Sequence, residues 1–314
     1  MALVSCLRWD LPSLLREIPG HKEFGRSLAP FTSIRIGGPA DALVRLESVE
    51  ALRRLQAVAQ EHAIPLFILG GGSNLLIRDG GLRGIAVLLR GAFRTYKVQR
   101  CATVSAVAQA QVGVGYPLSR LALQLARQGW SGLEFAYGIP GTLGGAMVMN
   151  AGTNLGEMSQ VLMSARVLLA DGQEQHLPVS ALGLRYRGSS YPAGAVLLAA
   201  TLRLQAGERE RIEGAMREAY ERRQRTQPLS QPNAGSIFKN PPGQAAGRLI
   251  EALGLKGVRI GGAMISPVHA NFIVNVGRAT AADVEALMAQ VQERVRATYD
   301  INLAPEVHIV GEEE

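Results

Sequence analysis

Residues 69–77 read LGGGSNLLI, a stretch that excludes the most familiar way of holding a dinucleotide. The apolar run before the glycines, IPLFIL at 64–69, predicts a short buried strand. In a Rossmann fold such a loop leads at once into a helix, whose N-terminus receives the pyrophosphate. Only four residues separate Asn74 from Asp79, too few for that helix. The loop is therefore predicted to lie between strands, and a dinucleotide bound here would require a different fold.

Residues 138–152 form a second glycine-rich segment, GIPGTLGGAMVMNAG, after a helix predicted between Pro117 and Gly129. Because glycine has no Cβ, its backbone N–H groups can approach a phosphate closely without a helix. A single glycine loop is more often only a tight turn. Two such loops, each with serine or asparagine, are compatible with one diphosphate-bearing cofactor that bridges them; a pair of plain turns stays open as the alternative.

The composition indicates a globular protein that can bury sizeable cores. The chain has 314 residues, of which 47% are hydrophobic and 19% charged, and this suggests about two domains. The net charge of +7 would suit nucleic acid, a membrane surface or a small polyanionic substrate. With 5% aromatic residues and no basic clusters interleaved with them, nucleic acid is disfavoured.

Residue spacing argues against several other classes of site. The two cysteines, Cys6 and Cys101, form neither a disulfide framework nor a CxxC zinc motif, and the five histidines lack ligand spacing, so no metal is predicted. No apolar run approaches the roughly 18 residues that span a bilayer, and the N-terminus lacks a signal-peptide core. The chain is expected to be soluble and cytoplasmic, without membrane insertion and without an evident obligate protein partner.

Three side chains outside the glycine loops could carry chemistry. Ser236 lies in GSIFKNP, residues 235–241, after the linker that follows a charged helix predicted over 208–225. No histidine or G-x-S-x-G elbow accompanies it, so its hydroxyl would serve better as a proton donor than as a nucleophile, unless the serine is an ordinary turn residue. Glu306 in LAPEVHIV is either exposed on an edge strand or buried with a perturbed pKa. Arg187 in LRYRGSS either pairs with a neighbour or awaits an anionic substrate.

Seven blocks of this sequence, in the same order, resemble the UDP-N-acetylenolpyruvoylglucosamine reductases of bacterial cell-wall synthesis. They extend from about Thr32 to Gly311 and are TSIRIGGPAD, LGGGSNLLI, GLEFAYGIPGTLGGAMVMNAG, YRGS, GSIFKNP, GLKGVRIGGAMISPVHANFIVN and LAPEVHIVG. GIPGTLGGA is shared with a wider superfamily of flavoproteins, whereas GSIFKNP and the C-terminal PEV are far more specific to this reductase. The short segment between Gly243 and Gly262 resembles the compact subgroup that lacks an extra tyrosine-bearing loop.

This resemblance implies an α+β architecture with a flavin. FAD would lie between two subdomains of the vanillyl-alcohol-oxidase (PCMH) type, and a C-terminal α+β domain would bind the substrate. The expected parts are a lead-in helix in residues 1–24, FAD-binding subdomains at 25–93 and 94–207, and the substrate-binding domain at 208–302. The C-terminal strand, in residues 303–314, is expected to return to the first subdomain.

The resemblance also implies a reaction. NADPH would supply hydride through non-covalent FAD, and the enolpyruvyl group of UDP-N-acetylglucosamine enolpyruvate would be reduced to give UDP-N-acetylmuramate. By motif position Ser236 would donate the proton, Arg187 would stabilise charge developing on the substrate carboxylate, and Glu306 would hydrogen-bond that carboxylate. The expected substrate-binding residues are Arg225, Lys239 and Asn240. The residues expected to hold FAD are Gly70, Gly71, Gly72, Ser73, Asn74, Gly138, Ile139, Pro140, Gly141, Thr142, Gly144, Gly145, Ala146, Asn150 and Gly152.

Two alternatives to the reductase stay open at the level of sequence. A flavin-dependent sugar oxidase of the same superfamily would use oxygen, although many such relatives attach FAD through a histidine and neither glycine loop has one nearby. A non-catalytic UDP-sugar binder would need no flavin chemistry. The sequence also departs from the family pattern near the expected flavin site, at QVGVG (residues 111–115, usually AGAG) and at NAGTNLG (residues 150–156, one residue longer than the usual NAGAYG).

Overall fold

The computed structural model describes residues 9–104 and 106–313, which form eight α-helices and eighteen β-strands. The helices are α1 (Leu11–Leu14), α2 (Val49–Glu61), α3 (Leu118–Arg127), α4 (Leu143–Val148), α5 (Met158–Val161), α6 (Arg209–Thr226), α7 (Ala246–Ala252) and α8 (Ala281–Tyr299). The strands are β1 (His21–Ser27), β2 (Pro39–Leu46), β3 (Leu66–Leu69), β4 (Leu75–Ile77), β5 (Leu82–Leu89), β6 (Tyr96–Arg100), β7 (Val107–Gly113), β8 (Trp130–Ser131), β9 (Gly152–Thr153), β10 (Gly156–Glu157), β11 (Leu162–Leu168), β12 (Glu174–Pro178), β13 (Val196–Ala206), β14 (Asn233–Ser236), β15 (Arg259–Ile260), β16 (Ala263–Ile265), β17 (Phe272–Asn275) and β18 (His308–Val310).

The contacts divide the chain into two compact units. The first comprises the residues up to Gly25, Asp41–Gly70 and Gly84–Tyr220. The second comprises Arg26–Ala40, Gly71–Arg83 and the residues from Glu221 onward. Each unit has a hydrophobic core of its own.

In the first unit, a small sheet with the order β1-β2-β5-β3 shares its core with α2. Ser48 caps this helix because its side chain accepts a hydrogen bond from Ala51 N at 3.2 Å. Leu52 and Leu55 are fully buried on the apolar face of this helix. β3 and β5 are parallel, and the chain passes from β3 through the glycines to β4 without a helix. The predicted position of the first glycine loop between strands is confirmed.

A larger sheet completes the first unit, with the order β12-β11-β13-β7-β6 and with β8 paired to β13. Its pairings are antiparallel, and β7 alternates as a strand with one covered face should, since Ala108 and Ala110 are buried while Gln109 and Gln111 are exposed. The buried face packs in the same core as α3, which contributes Leu118, Leu121 and Leu125. Each of these leucines is fully buried, and burial of such a side chain is worth about 1.5–3 kcal/mol.

The second unit is built on an antiparallel sheet with the order β14-β17-β16-β15, whose core includes residues of α7 and α8. The C-terminal strand β18 runs parallel to β4. Ile36 and Leu76 are buried in the same core as Ile237 and Val307. Segments from both ends of the sequence therefore share one core.

These contacts explain where the compact units differ from the predicted domain boundaries. The predicted subdomain 25–93 is divided, because Ile36 and Leu76 pack with C-terminal residues and take Arg26–Ala40 and Gly71–Arg83 with them. The strand β18 pairs with a segment inside 25–93. Residues 1–8 of the predicted lead-in lie outside the described residues. The four boundaries remain predictions.

Candidate active site

Gly70, the first residue of the first glycine loop, lies beside the second glycine loop within the first unit. Thr142 caps α4, since its side chain accepts a hydrogen bond from Gly145 N at 3.4 Å. The loop is also tied to α3, because Leu118 N donates to Gly141 O at 3.1 Å. A Cβ at Gly70 would lie 3.0 Å from Thr142 Oγ1, so the end of β3 adjoins the start of α4. Gly70 and Thr142 are thus neighbours although they are seventy-two residues apart in the sequence.

Protein packing accounts for some of the glycines and not for others. Gly72 has a φ of 61°, and a Cβ there would overlap the Phe31 carbonyl oxygen. At Gly115, in the QVGVG departure, a Cβ would lie 2.6 Å from the Leu89 carbonyl oxygen. At both positions the close approach of the protein's own backbone is enough to require glycine. Gly145 is exposed and has open space, since a Cβ there would be 3.8 Å from its nearest neighbour. Its missing side chain leaves room for a ligand, which fits a flavin cradle.

Arg187 occupies the third position of a tight turn in the first unit. Arg185 N donates to Gly188 O at 2.9 Å, and Gly188 N donates to Arg185 O at 3.1 Å. Arg187 Nη2 donates to Gly152 O at 3.3 Å, and its Cζ lies 5.1 Å from the centroid of the Tyr186 ring. The predicted catalytic arginine is therefore tied to the last residue of the second glycine loop.

Asn150, a predicted flavin ligand, is buried and uses its side-chain amide within the protein. Its Nδ2 donates to Glu157 Oε1 at 3.0 Å and to Arg185 O at 3.2 Å, and its Oδ1 accepts from Ser159 N at 2.9 Å. The Asn150 backbone N also donates within the protein, to Met147 O at 3.2 Å. Glu157 was not among the sequence predictions; its signal in the sequence is the capping box it forms with Gln160 at the start of α5.

Ser236 ends strand β14 in the second unit. Gly235 before it has a φ of 79°, and Gly235 N donates to Asn233 Oδ1 at 2.9 Å. Asn271 fixes the residues that follow, because its Nδ2 donates to Phe238 O at 2.8 Å and its Oδ1 accepts from Phe238 N at 3.0 Å. The Ser236 hydroxyl is half-buried and forms no hydrogen bond with another described residue. It is therefore available to a ligand.

Glu306 lies beside the Ser236 segment. Its backbone N donates to Ile237 O at 2.7 Å. Asn74, the last residue of the first glycine loop, donates from Nδ2 to Glu306 O at 3.1 Å, and its own carbonyl accepts from His308 N at 3.1 Å. The structure thus brings together three predicted site residues of the second unit: Asn74, Ser236 and Glu306.

Lys239 and His308 set the charge of this part of the second unit. Lys239 N donates to Ala304 O at 2.9 Å, which continues the pairing of the two segments. Burial lowers the pKa of His308 below its usual 6.5, and the Lys239 ammonium lowers it further. The imidazole is therefore neutral at pH 7, and Lys239 provides positive charge suited to an anionic substrate. His308 was not singled out by the sequence.

The other two predicted substrate residues lie apart from these contacts. Asn240 Oδ1 accepts from Ala246 N at 3.0 Å, so this side chain supports the start of α7. The Arg225 side chain is exposed in the last turn of α6 and forms no hydrogen bond or ion pair with another described residue. Their contacts with substrate stay predictions.

Two family profiles match the chain: the C-terminal domain of UDP-N-acetylenolpyruvoylglucosamine reductase over residues 227–310, and an FAD binding domain over residues 40–178. UDP-N-acetylenolpyruvoylglucosamine reductase 2 of Symbiobacterium thermophilum is 46% identical over 302 residues, which cover 96% of each chain. The chain belongs to the UDP-N-acetylenolpyruvoylglucosamine reductase family. The reductase of Bacillus velezensis is 42% identical over 286 residues, or 90% of this chain and 92% of the relative.

A solved structure from the same family agrees with the fold. The crystal structure of UDP-N-acetylenolpyruvylglucosamine reductase (MurB) from Thermus caldophilus matches with a TM-score of 0.80 and 40% identity, over 93% of this chain and 98% of that chain. The predicted FAD-binding fold with a C-terminal α+β domain is confirmed. Membership of the UDP-N-acetylenolpyruvoylglucosamine reductases favours the reductase over the sugar oxidase and the UDP-sugar binder.

Among residues 9–104 and 106–313, no helix is both long and apolar enough to cross a membrane. No group of three or more histidine, cysteine, aspartate or glutamate side chains in this part of the chain could hold a metal ion.

Proposed function

We propose that this chain reduces the enolpyruvyl group of UDP-N-acetylglucosamine enolpyruvate to give UDP-N-acetylmuramate, with NADPH as hydride source and FAD bound non-covalently. The sequence identity of 46% to a reductase, over 96% of both chains, supports the reaction. One observation carries the residue assignment: Glu306 N is bonded to Ile237 O, so the two most family-specific motifs run side by side. The lack of histidine in either glycine loop supports non-covalent flavin.

The residues present fit FAD. Gly70 adjoins Thr142, and Gly145 leaves open a space that a side chain would fill. These two loops would hold the cofactor, largely through backbone groups. The chemistry that bound FAD would supply is hydride transfer, with NADPH as the donor and the terminal vinyl carbon of the substrate as the acceptor.

The remaining steps belong to side chains of this chain. Hydride addition places negative charge toward the substrate carboxylate, and a proton must then reach the carbon that bears it. Ser236 would deliver that proton, since its hydroxyl is not engaged by the protein. Arg187 would stabilise the developing charge, and Glu306, when protonated, would hydrogen-bond the carboxylate. Lys239 adds positive charge for a substrate that carries a diphosphate and a carboxylate.

The product is a cell-wall precursor, so we place the reaction in peptidoglycan synthesis and in the cytoplasm, where nucleotide-linked precursors and NADPH are available. Loss of the activity would then affect cell shape and division. The net charge of +7 suits the polyanionic substrate.

The test separates the two half-reactions under anaerobic conditions. NADPH should bleach the yellow purified protein, and the enolpyruvyl substrate should restore the colour. In Ser236→Ala, bleaching should stay normal while the return of colour slows by about 10²–10⁴-fold, the scale for loss of a positioned acid. Because the Ser236 hydroxyl has no partner in the described protein, the variant should unfold at the same urea concentration as wild type.

Three results would contradict the proposal in different ways. Colourless purified protein would favour the UDP-sugar binder. If a free sugar bleached the protein and oxygen restored the colour, whereas the enolpyruvyl substrate did not restore it, the sugar oxidase would be favoured. A normal return of colour in Ser236→Ala would place the proton donor elsewhere, and Glu306→Gln would be the next variant to measure.

A further inference from the structure

We infer that Asn150 and Glu157 are positioning residues that hold Arg187 in the geometry that receives the substrate carboxylate. This inference rests on the proposed function of Arg187. It gives Asn150 a different task from the flavin contact that the resemblance implies.

The backbone of Arg187 is in an unfavourable conformation for its residue type. Its φ of 53° lies in the left-handed region, at the third position of the turn closed by Arg185 and Gly188. Turns with positive φ at that position normally carry glycine or asparagine. A bulky side chain stays there only where surrounding contacts hold it, and such strain is concentrated at functional sites.

Asn150 supplies one of these contacts. It is 2% exposed, and its Nδ2 donates to Arg185 O, the same carbonyl that accepts from Gly188 N to close the turn. Its side chain also donates a hydrogen bond to Glu157 Oε1 and accepts one from Ser159 N. The Asn150 side chain therefore links the turn to the start of α5. Asn150 itself has a φ of 41°, which asparagine tolerates better than most residues.

Glu157 supplies an electrostatic attraction for Arg187. It pairs with Gly152 in the β9–β10 hairpin, and Gly152 O is the acceptor for Arg187 Nη2. Hydrogen bonds from Ser159 and Asn150 keep the pKa of this carboxyl below its usual 4.5, and the Arg187 charge lowers it further. Glu157 is therefore an anion near the guanidinium. Its attraction for Arg187 holds the guanidinium near Gly152 until a substrate carboxylate arrives.

The test uses the purified holoenzyme and two variants. Asn150→Gly removes the amide and keeps the positive φ accessible, and Glu157→Gln removes the charge with little change of shape. Glu174→Gln is the matched control, because Glu174 pairs with Arg53 and Arg166 at the surface of the same unit. Flavin content and the rate of bleaching by NADPH should match wild type in all three variants.

The two positioning variants should differ from the control in substrate binding. The KM for the enolpyruvyl substrate and the Kd for UDP-N-acetylmuramate, measured by calorimetry on the oxidised protein, should rise at least tenfold. When each is combined with Arg187→Ala, the double variant should bind no more weakly than Arg187→Ala alone, because both residues act through that arginine.

Other outcomes would overturn the inference. Loss of flavin in Asn150→Gly would restore Asn150 as a cofactor ligand. Additive losses in the double variants would assign a role independent of Arg187. Should Asn150→Gly fail to fold, unchanged KM and Kd in Glu157→Gln would suffice against the inference. Wild-type binding and turnover in Arg187→Ala would refute the proposed function of the arginine together with this inference, whereas weak binding there with normal Asn150→Gly and Glu157→Gln would refute this inference alone.

Discussion

Gly145→Ala should raise the free energy of unfolding of the flavin-free protein and also raise its Kd for FAD. The backbone at Gly145 does not have a positive φ, and the new methyl group would meet Thr142 Oγ1 at an ordinary 3.8 Å. A glycine replaced by alanine at such a compatible position stabilises a protein by about 0.4–1 kcal/mol, chiefly because the unfolded chain loses freedom. The flavin-free protein should therefore unfold at a higher urea concentration than wild type.

The same methyl group would occupy the open face that we assign to the cofactor. We expect the Kd for FAD to rise at least tenfold, which corresponds to about 1.4 kcal/mol. At an FAD concentration of 100 times the wild-type Kd, stabilisation by the cofactor should fall from about 2.7 to about 1.4 kcal/mol. Fluorescence titration of the flavin-free protein gives the Kd, and urea unfolding with and without FAD gives the two stabilities.

Gly214→Ala is the matched control. Gly214 is also a helical glycine, in α6 of the same unit, and no atom lies within 4 Å of a Cβ built there. This variant should show a comparable gain in stability without FAD and an unchanged Kd. If both variants bind FAD as wild type does, Gly145 does not face the cofactor, and the reasoning from its open space is wrong.

Two further variants test the second unit. Asn271→Ala leaves the buried N–H and C=O of Phe238 without their partners, so urea unfolding should show a loss of about 2–6 kcal/mol, and a loss under about 1 kcal/mol would contradict the assigned role. Burial and, to a smaller extent, the Lys256 charge lower the pKa of His269 below its usual 6.5, and its Nδ1 accepts from Asn271 N. The unfolded chain therefore binds a proton before the folded one, and stability should be complete above pH 6.5 and fall as the pH decreases below it. His269→Gln should flatten this acid slope, whereas the exposed His176→Gln should not; equal slopes in all three proteins would argue against the effect.

Much of the secondary structure follows from local patterns. α2 begins after Ser48 and α8 after Thr280, and each of these residues caps its helix with its side chain. The glycines after β3 lie between strands because four residues cannot form the helix of a Rossmann fold. The short helix α4 inside the second glycine loop was not predicted, since six residues with two glycines give no helical periodicity.

The sequence does not show which glycines are required by packing within the protein and which leave space for a ligand. Gly72 and Gly145 look equivalent as parts of glycine-rich loops. In the structure, the carbonyl oxygen of Phe31 makes glycine necessary at 72, whereas nothing in the protein crowds position 145. The difference depends on which backbone passes close by, and that neighbour lies forty-one residues away in the first case.

The sequence by itself determined the family, the class of cofactor and the identity of the candidate catalytic residues, because these depend on motifs that are contiguous in the chain. Tertiary structure alone decided which of those residues meet. Asn74 and Glu306 are 232 positions apart, yet the side-chain amide of Asn74 donates to the backbone carbonyl of Glu306. The backbone N of Glu306 donates in turn to Ile237 O, next to Ser236. The tertiary structure also decided that the Asn150 side-chain amide donates to Arg185 O, in the turn that contains Arg187. The physical reason is that local propensity and periodicity act over a few residues, whereas hydrogen bonds and shared cores form between segments that only the folded chain brings together.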